Sequence, residues 1–379
     1  MRWNVVLSAS ALLFFACSGS GGSAGDTSQT PTDMMGDGVE VEVEEEKPPT
    51  WYALKDSALE GVTKVRGFDC KAGTLFLSVE GMVTEGLYYK TLSEQTEFGQ
   101  AFTGTGFIEV IDAGVLVGDY NGQTSSLVLA HVDSEAEDLG YNFEAMEIKD
   151  VQLVNDMVFT LGKDTAVAEY LVHRGGLAAG VFEQLGSRLN ETTISMYVDG
   201  TSVYLLSLLN EVTGMACHTL GTTSVEANSW NDCPGFPQYV KDSPGKPYSV
   251  EARIFGSGPK LAAWFRVSDK GENSYVYHTA PDGETWTDLP GLPDEKPSTW
   301  RHRGQDIYMG YSAKSGFHSV YRVDSDGTVE AEGWGLGLPD AGANSGPAGF
   351  CEMSSMLYVA WLDYNVSGSA VTIYRLNLE

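Results

Sequence analysis

Short apolar, β-branched runs alternate along the chain with Gly-, Asp- and Ser-rich turns, and one such run recurs seven times. It reads Leu75-Phe76-Leu77, Val115-Leu116-Val117, Val158-Phe159-Thr160, Val203-Tyr204-Leu205, Leu261-Ala262-Ala263, Ile307-Tyr308-Met309 and Leu357-Tyr358-Val359. The central positions step by 40, 43, 45, 58, 46 and 50 residues. A second run follows each after a polar turn and ends in His or Arg: His131, His173, His218, His278, Arg322 and Arg375. A further run carrying an aromatic comes next, at Phe143, Phe182, Trp230, Trp286 and Trp334. Many of these runs alternate only loosely, as strands buried on both faces do. A strand-only repeat of this length predicts an all-β, seven-bladed β-propeller of four-stranded antiparallel blades.

The ends of the repeat array carry their own information. The last repeat stops at Glu379 directly after its third strand, and an orphan run, Trp51-Tyr52-Ala53-Leu54, precedes the first repeat. The expectation is a ring closed by this N-terminal strand, which completes the last blade and removes two exposed sheet edges. Residues 51–379 then give about 47 residues per blade. Six or eight blades stay open as alternatives, because the 58-residue step is long enough to hide a degenerate unit.

Ahead of the domain, residues 1–16 read as a signal peptide: Arg2, then an apolar run from Val5 to Phe15 too short to span a bilayer. The ending Phe14-Phe15-Ala16-Cys17 resembles the lipobox of bacterial lipoproteins, with Phe14 where Leu is usual. That resemblance implies diacylation at Cys17 and a lipid anchor in the cell envelope; Ser18 after the Cys points to the outer membrane. Residues 17–50 read as a tether. Ser18-Gly19-Ser20-Gly21-Gly22-Ser23 is a flexible composition, and the Glu-rich stretch from Glu40 to Glu46 cannot bury enough apolar surface to fold.

Charge and cysteine content narrow the partners. With 52 acidic against 23 basic residues the net charge is −29, which disfavours nucleic acid and anionic lipid headgroups. The membrane is therefore reached only through the N-terminal lipid, a monomer is expected, and the expected partner is a protein or a glycan. No EF-hand loop or glycine-aspartate nonapeptide is present, and repeat-equivalent histidines on different blades sit too far apart to share an ion, so no metal or other cofactor is expected. Excluding Cys17, four cysteines remain in an exported chain and allow three pairings. Cys217 lies on the third strand of blade four and Cys233 at the end of its fourth. Cys70 and Cys351 close the inner strands of blades one and seven. The blade alignment thus predicts Cys217–Cys233 and Cys70–Cys351.

One turn carries a family signature. His278-Thr279-Ala280-Pro281-Asp282-Gly283-Glu284-Thr285-Trp286 resembles the Asp-box of sialidases and related propellers, with Thr279, Gly283, Thr285 and Trp286 in register and Asp282 shifted by one. Ser325-Asp326-Gly327-Thr328 is a weaker echo. In that family the box is a folding device whose Trp packs between blades. A sialidase also needs three Arg around a carboxylate and a Tyr nucleophile paired with a Glu. The early blades here lack the Arg-Ile-Pro string, and the nearest, Arg253-Ile254-Phe255, falls in blade five. No catalytic residue is assigned. The candidate ligand surface is Asp119-Tyr120-Asn121 and Asp363-Tyr364-Asn365, after the second strands of blades two and seven, with the cationic cluster Trp300, Arg301 and Arg303. The function expected is a non-catalytic binding or scaffold module on the envelope; the alternative is a glycan-cleaving enzyme of the sialidase-like class.

Acylation at Cys17 is directly testable. The protein should partition into detergent, and Cys17→Ser should release it to the aqueous phase; aqueous partitioning of the unsubstituted protein would refute the anchor.

Overall fold

The computed structural model describes residues 49–378, apart from 56–57, 95–96, 121–123, 178–180, 210–213, 238, 241–250, 259, 270–271, 304–305, 313–317, 332–333, 341, 343 and 365–367. Residues 1–48, with the expected leader, Cys17 and most of the tether, lie outside the described residues. Every regular element described is a β-strand, and the strands make seven antiparallel sheets. Blades one to six run in chain order from the inner strand outwards, over residues 62–102, 107–144, 146–189, 192–232, 252–288 and 299–330. Blade seven takes three strands from 345–377 and its outer edge from the N-terminus. The ring is closed: each of the inner strands Val62–Lys71, Phe107–Ile111, Met146–Val154, Thr192–Val198, Ala252–Ser257, Thr299–Arg303 and Ser345–Met353 touches the inner strands on both sides. The 58-residue step hides no eighth blade. It holds an extra short strand, Tyr239–Val240, on the third strand of blade four.

The apolar core is not one mass but seven wedges, one between each pair of adjacent blades. Phe76, Leu87, Val115 and Val117 fill the wedge between blades one and two. Phe159, Leu161, Met196 and Leu205 fill that between three and four. This is why the second-strand triplets are apolar at nearly every position, Thr160 being the polar exception: both faces of a blade lie against a neighbour.

The ring closes non-covalently inside blade seven, where the N-terminal strand pairs with the last strand; the chain then crosses to blade one at Gly61, and several features hold the closing strand and the seam between blades seven and one. Tyr52 and Ala53 pair antiparallel with Arg375 and Tyr374, and Leu59 and Glu60 pair with Val371 and Ala370. Trp51 is the anchor of the returning strand. It is fully buried with Tyr308, Val320, Phe350 and Leu376; its backbone N–H donates to the Leu336 carbonyl at 2.8 Å, and its Nε1–H donates to the Trp334 carbonyl at 2.7 Å. Gly349 permits the close approach of the two inner strands, since a Cβ there would lie 2.5 Å from Phe68 Cβ. Cys70 and Cys351 are bonded across the seam with Cα atoms 5.7 Å apart, and Cys217 and Cys233 are bonded within blade four at 5.2 Å. The first bond closes a separation of 281 residues, for which chain-entropy models give on the order of 5 kcal/mol.

Strand register corrects three details of the sequence reading. The pairing Cys70–Cys351 holds, but the positions are not equivalent. Asp69, not Cys70, is the register partner of Cys351, because Asp69 and Cys351 both oppose the centre of their triplets, Phe76 and Tyr358. Equivalent side chains on successive blades point the same way round the ring, so two that meet across a seam must differ by an odd offset. Likewise His131 does not share the position of His173, His218 and His278. Those oppose Thr160, Leu205 and Ala263, a place held in the other blades by Val128, Tyr88, Tyr321 and Tyr374; Arg322 and Arg375 lie one residue further. Trp334 lies beyond its blade's fourth strand, Val329–Glu330, and packs on Tyr308 at 5.5 Å.

Removing the Trp51 side chain should therefore undock the closing N-terminal strand. Trp51→Ala should cost about 3–5 kcal/mol in denaturant unfolding, the range for truncating a large buried aromatic. A loss below about 1 kcal/mol would mean that the N-terminal strand is not docked in solution.

Candidate functional site: the central channel

Alignment of the seven inner strands by register yields alternating layers around the axis. The residues opposite the third position of each triplet, Phe68, Ile108, Val151, Met196, Ile254, Trp300 and Phe350, are all apolar and point back towards the preceding blade. The residues on either side of them in each strand point towards the next blade, and these are mostly polar. One polar layer is Asp69, Glu109, Gln152, Tyr197, Phe255, Arg301 and Cys351; the other includes Asp150, Ser195, Arg253 and Thr299.

Much of this polar layer grips the neighbouring backbone. Asp69 accepts its own Cys70 N–H and, at 3.2 Å, the N–H of Val110 in blade two. Gln152 accepts the Val198 N–H at 2.9 Å and donates to the Met196 carbonyl at 2.6 Å. Asp150 accepts the Met196 N–H at 3.5 Å. Ser195 both donates to and accepts from the backbone of Ile254 at 3.2 Å. An edge of inner-strand N–H and C=O groups that would otherwise face the channel is thereby satisfied.

The channel encloses a cavity of about 880 Å³ lined by all seven inner strands. Its charges are divided. Glu109 and Asp150 stand on blades two and three, while Arg253, Lys296 and Arg301 come from blades five and six. Arg301 reaches over blade seven to within 3.3 Å of Asp69, and Lys296 lies 3.2 Å from Glu251. Arg253 differs: its guanidinium lies over the Trp300 ring, 5.4 Å from the centroid, and among the described residues no carboxylate forms an ion pair with it. Trp300 is itself fixed by Phe255 and Trp264 at 5.8 and 5.7 Å.

Both carboxyls are shifted. Burial, and then the nearby Asp69 carboxylate, push Glu109 up to about 8 against the pull of Arg301, so it carries its proton at neutral pH. Burial pushes Asp150 up to about 6 against the pull of Arg253 and of the Met196 and Val151 N–H groups. His302, on the same strand as Trp300, has both ring nitrogens buried and is held down to about 4, first by burial and then by Lys260, so it is neutral. Among the described residues no three His, Cys, Asp or Glu side chains converge closely enough to hold a metal ion. His218 lies 2.7 Å from Glu191, His278 2.9 Å from Asp288, and His173 3.3 Å from the Tyr141 hydroxyl.

Of the candidate ligand residues, the structure brings Trp300 and Arg301 into the channel. Arg303 ends the same strand, and its side chain is not described. Asp119 and Tyr120 end the second strand of blade two, and their side chains are not described; Asp363 ends the second strand of blade seven, is exposed and does not line the channel. Tyr364 is exposed, with its N–H donating to the Asn344 carbonyl at 2.7 Å. Asn121 and Asn365 lie outside the described residues. The two loops share a face of the ring but not a register, since Asp363 falls two places further along its strand than Asp119. Sequence reading missed Glu109, Asp150 and the role of Arg253; the signal available was an ionisable residue inside an otherwise apolar inner strand.

The Asp-box turn folds as a turn. Asp282 accepts the N–H groups of Glu284 and Thr285 at 2.9 and 2.6 Å, and Gly283 takes φ +77°. The Thr285 hydroxyl and these N–H groups pull Asp282 down to about 2. Trp286 packs edge-on against Phe236 at 5.0 Å, in the wedge between blades four and five. In blade six the same role falls to Asp324, which accepts the N–H of Asp326 and Thr328 at 2.9 Å; the sequence echo had pointed to Asp326.

No protein family matches the chain by sequence, and no curated protein does. Solved structures do match in shape. The WD40 domain of Toxoplasma gondii coronin has a TM-score of 0.54 at 9% identity, over 88% of this chain and 87% of that one. An oligogalacturonate lyase from Vibrio parahaemolyticus has a TM-score of 0.53 at 10% identity, over 88% and 97%. The extracellular domain of a protein assigned as a one component system from B. thetaiotaomicron has a TM-score of 0.51 at 10% identity, over 86% of this chain and 40% of that one. What they share with this chain is the fold.

Glu109 has a measurable signature. Its folded pKa lies above the unfolded value, so its effect on stability is absent below about pH 4.5 and grows unfavourable as pH rises to about 8. Glu109→Gln should melt with the parent at pH 4.5 and become more stable than it by pH 8, by up to about 3 kcal/mol once the solvent admitted by the channel is allowed for. A pH-independent difference would refute the shift.

Proposed function

We propose that this protein is an envelope-anchored β-propeller that binds a glycan or peptide in its central channel without turning it over. One observation carries the reading: a cavity of about 880 Å³, of the size that small-ligand sites occupy, in which Glu109 and Asp150 stand on blades two and three and Arg253 and Arg301 on blades five and six. Two buried disulfides suit an oxidising compartment, as does the leader that resembles a lipoprotein signal. The sialidase-like affiliation rests on the turns at Asp282 and Asp324, which are folding devices.

A second reading has a specific observation in its favour. Glu109 and Asp150 are raised carboxyls facing arginines, the kind of pair from which acid–base chemistry on a glycosidic bond is built. The two readings separate on product. The exported Cys17→Ser protein is expected to retain glycans or peptides from its host's envelope in calorimetry and to return them unchanged. New reducing ends that disappear in Glu109→Gln and Asp150→Asn would replace the binding reading with the enzymatic one, and absence of both binding and turnover would overturn both.

A further inference from the structure

Of the five basic groups that line the channel, Arg66 is paired with Glu80, Lys296 with Glu251 and Arg301 with Asp69, whereas Lys64 and Arg253 have no ion-pair partner among the described residues. Arg253 is the one of the two that lies over an aromatic ring. It is half-buried, its guanidinium lies over the Trp300 ring, and Trp300 is wedged between Phe255 and Trp264. A guanidinium held over a fixed indole loses less freedom when its donors engage a ligand. Five basic and three acidic side chains line the cavity of a protein with net charge −29, so the channel is the locally positive place on an acidic molecule and draws small anions inward.

From this geometry we infer that Arg253 is the receptor for the carboxylate of an acidic sugar bound in the channel, held bidentately with Trp300 as the platform. The inference rests on the channel-binding reading above and specifies its ligand class. A single negative charge fits better than a phosphate dianion, because Asp150 lies near enough to Arg253 to interact with it. Across the channel, Glu109, protonated at neutral pH, presents a hydrogen-bonding group suited to hydroxyls rather than to a second anion. One anionic end and one hydroxyl-rich end describe a sugar acid. No bond is made or broken in this step; it is recognition only.

Calorimetric titration of the exported Cys17→Ser protein with glucuronate and galacturonate oligomers, the matching neutral glucose and galactose oligomers, and glucose 6-phosphate tests the assignment. The acidic oligomers should bind at least tenfold more tightly than the neutral ones and than the phosphate. Arg253→Gln should lose at least tenfold for the acidic oligomers and nothing for the neutral ones. Arg253→Lys, which keeps the charge but loses the flat two-pronged edge, should fall between, and it decides the matter if Arg253→Gln fails to fold by circular dichroism. Equal binding by the parent and both variants, or a preference for the phosphate, overturns the inference. Tight binding of neutral glycans or peptides that ignores Arg253 overturns it while leaving the channel-binding reading standing. If none of these probes binds, the assignment of Arg253 falls; if envelope glycans and peptides also fail, the channel-binding reading falls with it.

Discussion

One recurring contact ties the ring together: from the inner strands of blades one, three and four, a polar side chain reaches the backbone of the next blade. A propeller's inner strands leave a row of N–H and C=O groups facing a narrow channel, where each unpaired group is costly. Asp69, Asp150, Gln152 and Ser195 meet that need for blades two, four and five. The residues between them, from Phe68 round to Phe350, pass the other way and close the apolar wedges. Alternation along a strand, which in a sandwich separates core from solvent, here separates the next blade from the previous one. The direction is the same for all seven blades because every inner strand runs the same way.

The constraint falls hardest on the seam. A blade with only one neighbour would expose an entire apolar face, so no partial ring is stable and closure cannot be gradual. Chain crosses from blade seven to blade one at Gly61, so the break lies inside blade seven, between its last strand and the N-terminal one. Closure relies on Trp51, packed in the wedge between blades six and seven, on the strand pairing of Tyr52 and Ala53 with blade seven, on the close approach that Gly349 allows between blades seven and one, and on the bond between Cys70 and Cys351. The odd offset of that disulfide follows from the alternation: had the cysteines stood at equivalent positions, one would have faced blade two and could not have met its partner.

Blade number, closure and both disulfides were legible in the sequence because they follow from repeat length and from what is missing at the chain's end. The spacing of Leu75-Phe76-Leu77 and its six copies is set by burial on both faces, which leaves a strong apolar trace. Register was not legible to one residue. His131 and His173 both end a run, but runs end where the turn begins, and turn length varies between blades; only the hydrogen-bonded partners, Val128 and His173, fix the equivalence. The Asp-box turns show the same effect, since Asp282 and Asp324 each sit one or two places from where the motif alone would put them and still cap the same turn. The channel was legible least of all. Its residues come from strands of different blades, Glu109 and Arg253 standing 144 positions apart, and no local pattern joins them. Trp300 and Arg301 drew notice only because basic residues are scarce in this chain and these stand beside Arg303.

Once the gripping residues are set aside, what remains in the polar layer is informative. Ser195 and Gln152 are accounted for by the backbone they hold, and Asp69 by Val110 and Arg301. Glu109 and Arg253 hold no backbone and no ion-pair partner among the described residues, and Glu109 is placed where its charged form is disfavoured. Neither is required by the architecture: Phe255, Tyr197 and Cys351 occupy the layer of Glu109 in other blades, and Ser195 and Thr299 occupy that of Arg253. A position that the fold leaves free, filled by a group that burdens it, is where folding physics stops explaining the sequence. In this propeller those positions converge on the axis, which makes the channel, rather than the outer loops, the place where its ligand is to be sought.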